Sequence, residues 1–212
     1  MCVFGQVTYF HHDQEAEDMR LGLNGTQGVL VQPGAIMQYG NISIAPQNGA
    51  FHARWDCNDK CQNCTGIWKL FPDVFTLNEY AIGGKNVWDN LSNVNGHHIN
   101  FHMSIPGTNC RERSCYITVE QLLSVCPKEN QFSTAGEMTN TTLYGCRPMC
   151  KLTNTEERCC EGKYHDRGVC QKYSMWLKEL CPDAYAWPHD DPTNVDFCYG
   201  AEARNLAVGP IA

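Results

Sequence analysis

The sequence predicts a mainly β fold, an antiparallel sandwich or barrel, joined to a lobe held together by disulfides. Three observations point there. Up to about residue 105 the chain runs in short alternating stretches, VLVQ, IMQYGNISIA, AFHARW, VFTLNEYAI and HHINFHMSI, separated by the turn signals PG, PQNG and NG. Fourteen cysteines, an even number, follow an extracellular pattern, and ten of them fall between Cys110 and Cys198. Apolar residues make up 42% of the chain and charged residues 18%, the balance of an ordered protein rather than a disordered one.

Each element follows in order. The alternating stretches assign residues 1–105, with 199–212, to the β core, and residues 57–72 to a small disulfide loop inside it. After Pro106 the composition changes to polar loops and dense cysteines, so 106–198 reads as the disulfide-rich lobe. A first helix is predicted from Thr118, where TVEQ sets Thr118 and Gln121 in a capping box, and it stops before Pro127. A second, the main helix, carries Tyr173, Trp176, Leu177 and Leu180 at i, i+3, i+4 and i+7, with Pro182 as its stop and that stripe as core.

Charge and patterning exclude several functions. The formal net charge is −7 with no basic stripe, which leaves nothing to release counterions from a nucleic acid. No apolar run approaches the ~20 residues needed to span a bilayer. The opening MCVFGQVTYF lacks a basic start and an apolar core, so secretion, implied by the cysteines, needs a leader that this stretch does not contain. Five N-x-S/T sequons, at Asn24, Asn41, Asn63, Asn90 and Asn140, are glycosylation candidates. Cys57, Cys61 and Cys64 with His52 offer a zinc-like set, but the other eleven cysteines lack the paired spacing of such sites, and disulfides are the working reading. In GHHINFHM, His98 and His102 on a strand would lie about 13 Å apart, too far for one ion, and the cluster reads as strand surface. No metal or other cofactor is expected.

Specific motifs go further. The order RCC, C, then YSMWLKELCPDAYAWPHDDPTNVDFC, preceded by ARWDC, FTLNEY, VWDNLS and an NG leading into an Asn-rich strand, resembles the thaumatin-like family over residues 25–212. The resemblance implies an antiparallel β-sandwich, a loop-and-helix lobe and a cleft between them. It implies the pairs Cys110–Cys198, Cys115–Cys181, Cys126–Cys146, Cys150–Cys159 and Cys160–Cys170, prefers Cys57 with Cys61, and leaves Cys2 and Cys64 unpaired or linked to another chain.

The family's acidic cleft, one Arg, one Glu and three Asp, is only partly matched. Ala50 takes the Arg position with Arg54 nearby, Val74 the Glu position with Asp73 beside it, and Asn95 one Asp position; Asp89, Asp190 and Asp191 remain. These six, Arg54, Asp73, Asp89, Asn95, Asp190 and Asp191, are the candidate ligand-binding residues, and no catalytic residue is assigned. The expectation is an extracellular protein that binds a β-1,3-glucan-type polysaccharide or a protein partner in a defence role. A weak endo-β-1,3-glucanase and a cross-linked assembly component are the rivals.

Overall fold

The computed structural model describes the chain except residues 1, 10–17, 20–28, 31–36, 41–46, 55, 62–63, 65–72, 84–85, 106–107, 137–141, 191–195, 200–204 and 211–212, and within 2–9, 18–19, 29–30, 37–40, 47–48, 82–83, 196–197, 199 and 205–210 it describes the backbone alone. The mainly β expectation holds. The largest sheet has eight strands: β1 (Cys2–Tyr9), β2 (Asp18–Met19), β3 (Val29–Leu30), β5 (Gln47–Arg54), β6 (Leu77–Gly83), β7 (Asn86–Ser92), β12 (Ala184–Tyr185) and β13 (Asp196–Tyr199). Its main path runs β12-β7-β6-β5-β1-β2. A second sheet orders β4 (Met37–Gly40), β14 (Asn205–Pro210), β8 (Phe101–Ser104) and β9 (Arg113–Cys115) as β4-β14-β8-β9, and β10 (Gln131–Ala135) pairs with β11 (Thr142–Cys146).

Alternation along β7 explains how it sits. Val87, Asp89 and Leu91 are buried, while Asn86, Trp88 and Asn90 between them are only partly so. One hydrophobic cluster then takes Phe51, Tyr80 and Leu91 from the larger sheet together with Phe101, Met103 and Cys115 from the four-stranded one. Full burial of a side chain such as Leu91 is worth roughly 1.5–3 kcal/mol. Strands β9 and β12 come from within 106–198 and β13 straddles its end, so the cysteine-rich stretch is sewn into both the eight-stranded and the four-stranded sheet.

The helix at Thr118 forms as the sequence predicts. In α1 (Val119–Val125) the Thr118 hydroxyl accepts from the Gln121 N–H, and the Gln121 side chain accepts from the Thr118 N–H in return. The main helix does not form. Only a 3₁₀ turn over Met175–Leu177 appears, because Ser174 lies at φ −128°, ψ 43° with its hydroxyl accepting from the Met149 N–H, and Pro182 follows within a few residues. One turn is left, and i→i+3 bonding suits so short a piece. Two short helices that the sequence did not announce, α2 (Met149–Thr153) and α3 (Glu156–Cys159), flank Asn154, whose left-handed φ of 50° ends α2. No described helix is long and apolar enough to cross a membrane.

Cys110–Cys198, Cys115–Cys181, Cys126–Cys146, Cys150–Cys159 and Cys160–Cys170 are joined in the pairs the resemblance implies. The small loop differs. Cys57 is bonded to Cys64, not to Cys61, so Cys64 is neither free nor intermolecular. A turn closed by the Cys61 N–H on the Asn58 carbonyl buries Cys61 completely at φ 55° and returns the chain so that Cys64 reaches Cys57. Cys61 is itself disulfide-bonded. The expectation for Cys2 falls on a side chain that lies outside the described residues. Nonreducing peptide mapping is therefore expected to return Cys57 with Cys64; recovery of Cys57 with Cys61, or a labelled Cys64 thiol in the unreduced protein, would contradict this.

Candidate functional site

Two of the acids expected to line a cleft, Asp89 and Asp190, are engaged inside the protein. Asp89 projects from β7 into the core, 2% exposed, and its Oδ2 accepts from Arg113 Nε at 3.1 Å. Arg113, on β9, is fully buried and donates a second bond from Nη1 to the Asp183 carbonyl at 3.3 Å. A carboxylate so enclosed offers nothing to a ligand at the surface. Nothing in the spacing of CRERSC announces Arg113, because the pair joins residues 24 apart. Asp89 also lies close to Cys110 and Cys198, but both sulfurs are tied in one bridge and the carboxylate is held by Arg113, so the trio does not offer an ion three free ligand atoms.

Asp190 has a similar fate. Its Oδ2 accepts from Lys178 Nζ at 2.7 Å and from the Ala186 N–H at 3.1 Å, while the same ammonium donates to the Ala184 carbonyl at 3.1 Å. The turn before β13 is thus clamped to the 3₁₀ segment. Asp191 lies outside the described residues. Arg54 is half-buried at the end of β5, where burial lowers its pKa, and Asp73 is exposed.

Val74, at the expected Glu position, is buried against Phe132. It also explains Gly96. At φ 108° a Cβ on that residue would stand 2.7 Å from Val74 Cγ1 and 2.8 Å from the Cys146 carbonyl, so glycine alone fits the NG turn.

One carboxyl was not singled out from the sequence. Glu79 sits on β6 opposite Ala50 of β5 and Asn90 of β7, and its pKa is raised, first by burial, against a lowering hydrogen bond from Asn90. Neither cross-strand neighbour is a second carboxylate. Asn90 is thereby occupied in mid-strand with its Oδ1 buried, a poor seat for the glycan its sequon suggests; Asn24, Asn41, Asn63 and Asn140 lie outside the described residues.

The histidines also depart from expectation. His97 and His98 are buried, not on a strand surface, because the chain is irregular there and β8 starts only at Phe101. His98 Nδ1 accepts from the Thr76 N–H at 3.1 Å and Nε2 donates to the Ala53 carbonyl at 3.0 Å.

A pocket of about 120 Å³ opens between the loop after β7 and the cysteine-rich stretch. Among the described residues Asn95 is the one expected cleft residue that lines it, joined by Lys151, Arg158, Glu161, Tyr173 and Trp187. Its walls are built locally. Thr155 caps the start of α3 by accepting from the Arg158 N–H, and the Cys150–Cys159 and Cys160–Cys170 bridges both fix its C-terminal end. Arg158 then lies 3.7 Å over the Tyr173 ring, whose hydroxyl donates to Glu157; this bond raises the tyrosine pKa. Tyr173 therefore faces the pocket rim and not the core stripe assigned to it. Trp187 is buried beside Cys160, Cys170 and Met175, with the Lys172 ammonium 5.1 Å from its ring centre.

Comparison with known proteins gives one consistent answer. The thaumatin family model matches residues 24–208. "Pathogenesis-related protein 5" of Arabidopsis thaliana is 30% identical over 195 residues, 84% of this chain and 77% of that protein. "Pathogenesis-related thaumatin-like protein 3.4" of Cryptomeria japonica is 32% identical over 68% of this chain and 52% of its own length. "Thaumatin-like protein 1" of Castanea sativa is 28% identical over 74% of this chain and 69% of that protein.

Proposed function

The chain belongs to the thaumatin family, and on that premise we propose that it is a secreted, defence-related protein that binds a cell-wall polysaccharide without cleaving it. Secretion is supported by the density of disulfides, which persist in an oxidising compartment. The defence role is supported by the pathogenesis-related names of the similar proteins. The observation that carries the non-catalytic part is the state of the carboxylates. Glycoside hydrolysis needs two carboxyl groups at a set separation, one of them held protonated. Asp89 and Asp190 are paired with Arg113 and Lys178, Val74 and Asn95 stand at two other acid positions, and Glu79 faces Ala50 and Asn90.

What persists favours recognition. Asn95 keeps an amide that both donates and accepts, and the Tyr173 ring at the rim supplies apolar surface of the kind sugar rings pack on. The assembly reading loses support, since Cys64 is closed within the chain. Retention on insoluble β-1,3-glucan tests the proposal: the protein is expected in the bound fraction and eluted by soluble oligosaccharide. Full recovery in the unbound fraction, on this and other wall polysaccharides, would overturn it.

A further inference from the structure

The pocket beside Asn95 carries more positive charge than a neutral glucan can use. Lys151 and Arg158 line it against a single carboxylate, Glu161, and none of the three has an ion pair among the described residues. The Arg158 guanidinium carbon lies 3.7 Å from the centre of the Tyr173 ring, a contact that orders the group beside the pocket, and its planar fork suits a planar acceptor. Trp187 supplies the second observation. This residue is 5% exposed, lines the pocket, and its buried Nε1–H has no acceptor among the described residues. A buried indole N–H is normally paired, so the vacancy calls for an oxygen from outside.

We propose that this pocket binds the carboxylate-bearing residue of an acidic polysaccharide, a uronate. Arg158 and Lys151 take the carboxylate, while the Trp187 N–H and the Asn95 amide take hydroxyl or ring oxygens. At about 120 Å³ the pocket is smaller than those that engulf a whole drug-sized ligand, so it grips one residue while the rest of the polymer lies along the surface. The inference rests on the polysaccharide-binding reading and names the ligand class of its site.

The test is titration with oligogalacturonate, a neutral β-1,3-gluco-oligosaccharide and inorganic phosphate, followed by tryptophan fluorescence. Oligogalacturonate should bind at least about 10-fold tighter than either of the others, as charge-assisted hydrogen bonds add to sugar contacts. Lys151→Ala and Arg158→Gln should each lose about 10-fold, and Trp187→Phe, which keeps a ring but removes the donor, several-fold. Should Arg158→Gln disturb the fold by circular dichroism, Lys151→Ala and the salt dependence of binding decide alone. Equal affinity for acidic and neutral oligosaccharides, phosphate binding as tight as oligogalacturonate, or indifference to Lys151→Ala would overturn the inference. In the first and last of these cases, retention on insoluble glucan that survives leaves the broader function standing; loss of all polysaccharide binding removes both.

Discussion

Arg113→Ala is expected to lower folding stability by about 3–5 kcal/mol, the usual consequence of leaving one member of a buried ion pair alone. The fully buried guanidinium and the 2% exposed Asp89 carboxylate face each other at 3.1 Å, so removing the cation strands an anion in the core. Asp89→Ala should destabilise comparably by leaving the guanidinium unpaired, and this separates the residue from a surface ligand, whose removal would weaken binding and spare the fold. A double replacement by apolar residues of similar volume, Asp89→Leu with Arg113→Met, should recover much of the loss, because a packed apolar pair removes both desolvation costs. Urea unfolding at neutral pH reads all three. A loss below about 1 kcal/mol for Arg113→Ala, the range of an exposed pair, would refute the assignment.

Acid should destabilise the protein as strongly. Burial lowers the pKa of His52 to about 3, of His97 to about 3 and of His98 to about 4, from 6.5; nearby charge adds to the effect, Arg54 and His98 at His52, and His98 at His97. The unfolded chain therefore binds protons before the folded one does. Stability is fully present above about pH 6.5 and falls as pH drops toward the folded values, by about 1.4 kcal/mol per histidine per pH unit. All three together give a slope of about 2 kcal/mol per unit near pH 6.5 that steepens to ~4 around pH 5. Geometry gives the same sign, because a protonated His98 could no longer accept the Thr76 N–H. Urea midpoints at pH 7 and pH 5 measure it; a midpoint that holds steady or rises at pH 5 would contradict the account.

Much of the fold is legible in the sequence where the signal is local. TVEQ encodes its helix start within four residues, and the alternation of VWDNLS encodes which face of β7 is buried. The five bridges from Cys110 onward are legible only through the family resemblance that several motifs in order carry. What the sequence does not reveal is set by contacts distant along the chain. Arg113 and Asp89 meet only because β9 and β7 pack side by side, and the same packing turns an expected ligand into a core anion. The stripe of Tyr173, Trp176, Leu177 and Leu180 has helical spacing, yet Ser174 is committed to Met149 and the helix has no room to start. Cys57, Cys61 and Cys64 are near enough in sequence for either partner, and a turn at Asn58 decides between them. The pocket at Trp187 gathers residues from five separate stretches, none of which carries a motif for it.

Binding without cleavage is the central claim, and reducing-sugar release from soluble β-1,3-glucan tests it most directly. Run at neutral and mildly acidic pH, it should give no more product than a protein-free blank. Glu79 is the described carboxyl whose pKa is raised, so it is the residue that a hidden glycosidase activity would need as its acid. Release well above the blank, abolished by Glu79→Gln in a variant that remains folded, would contradict the account.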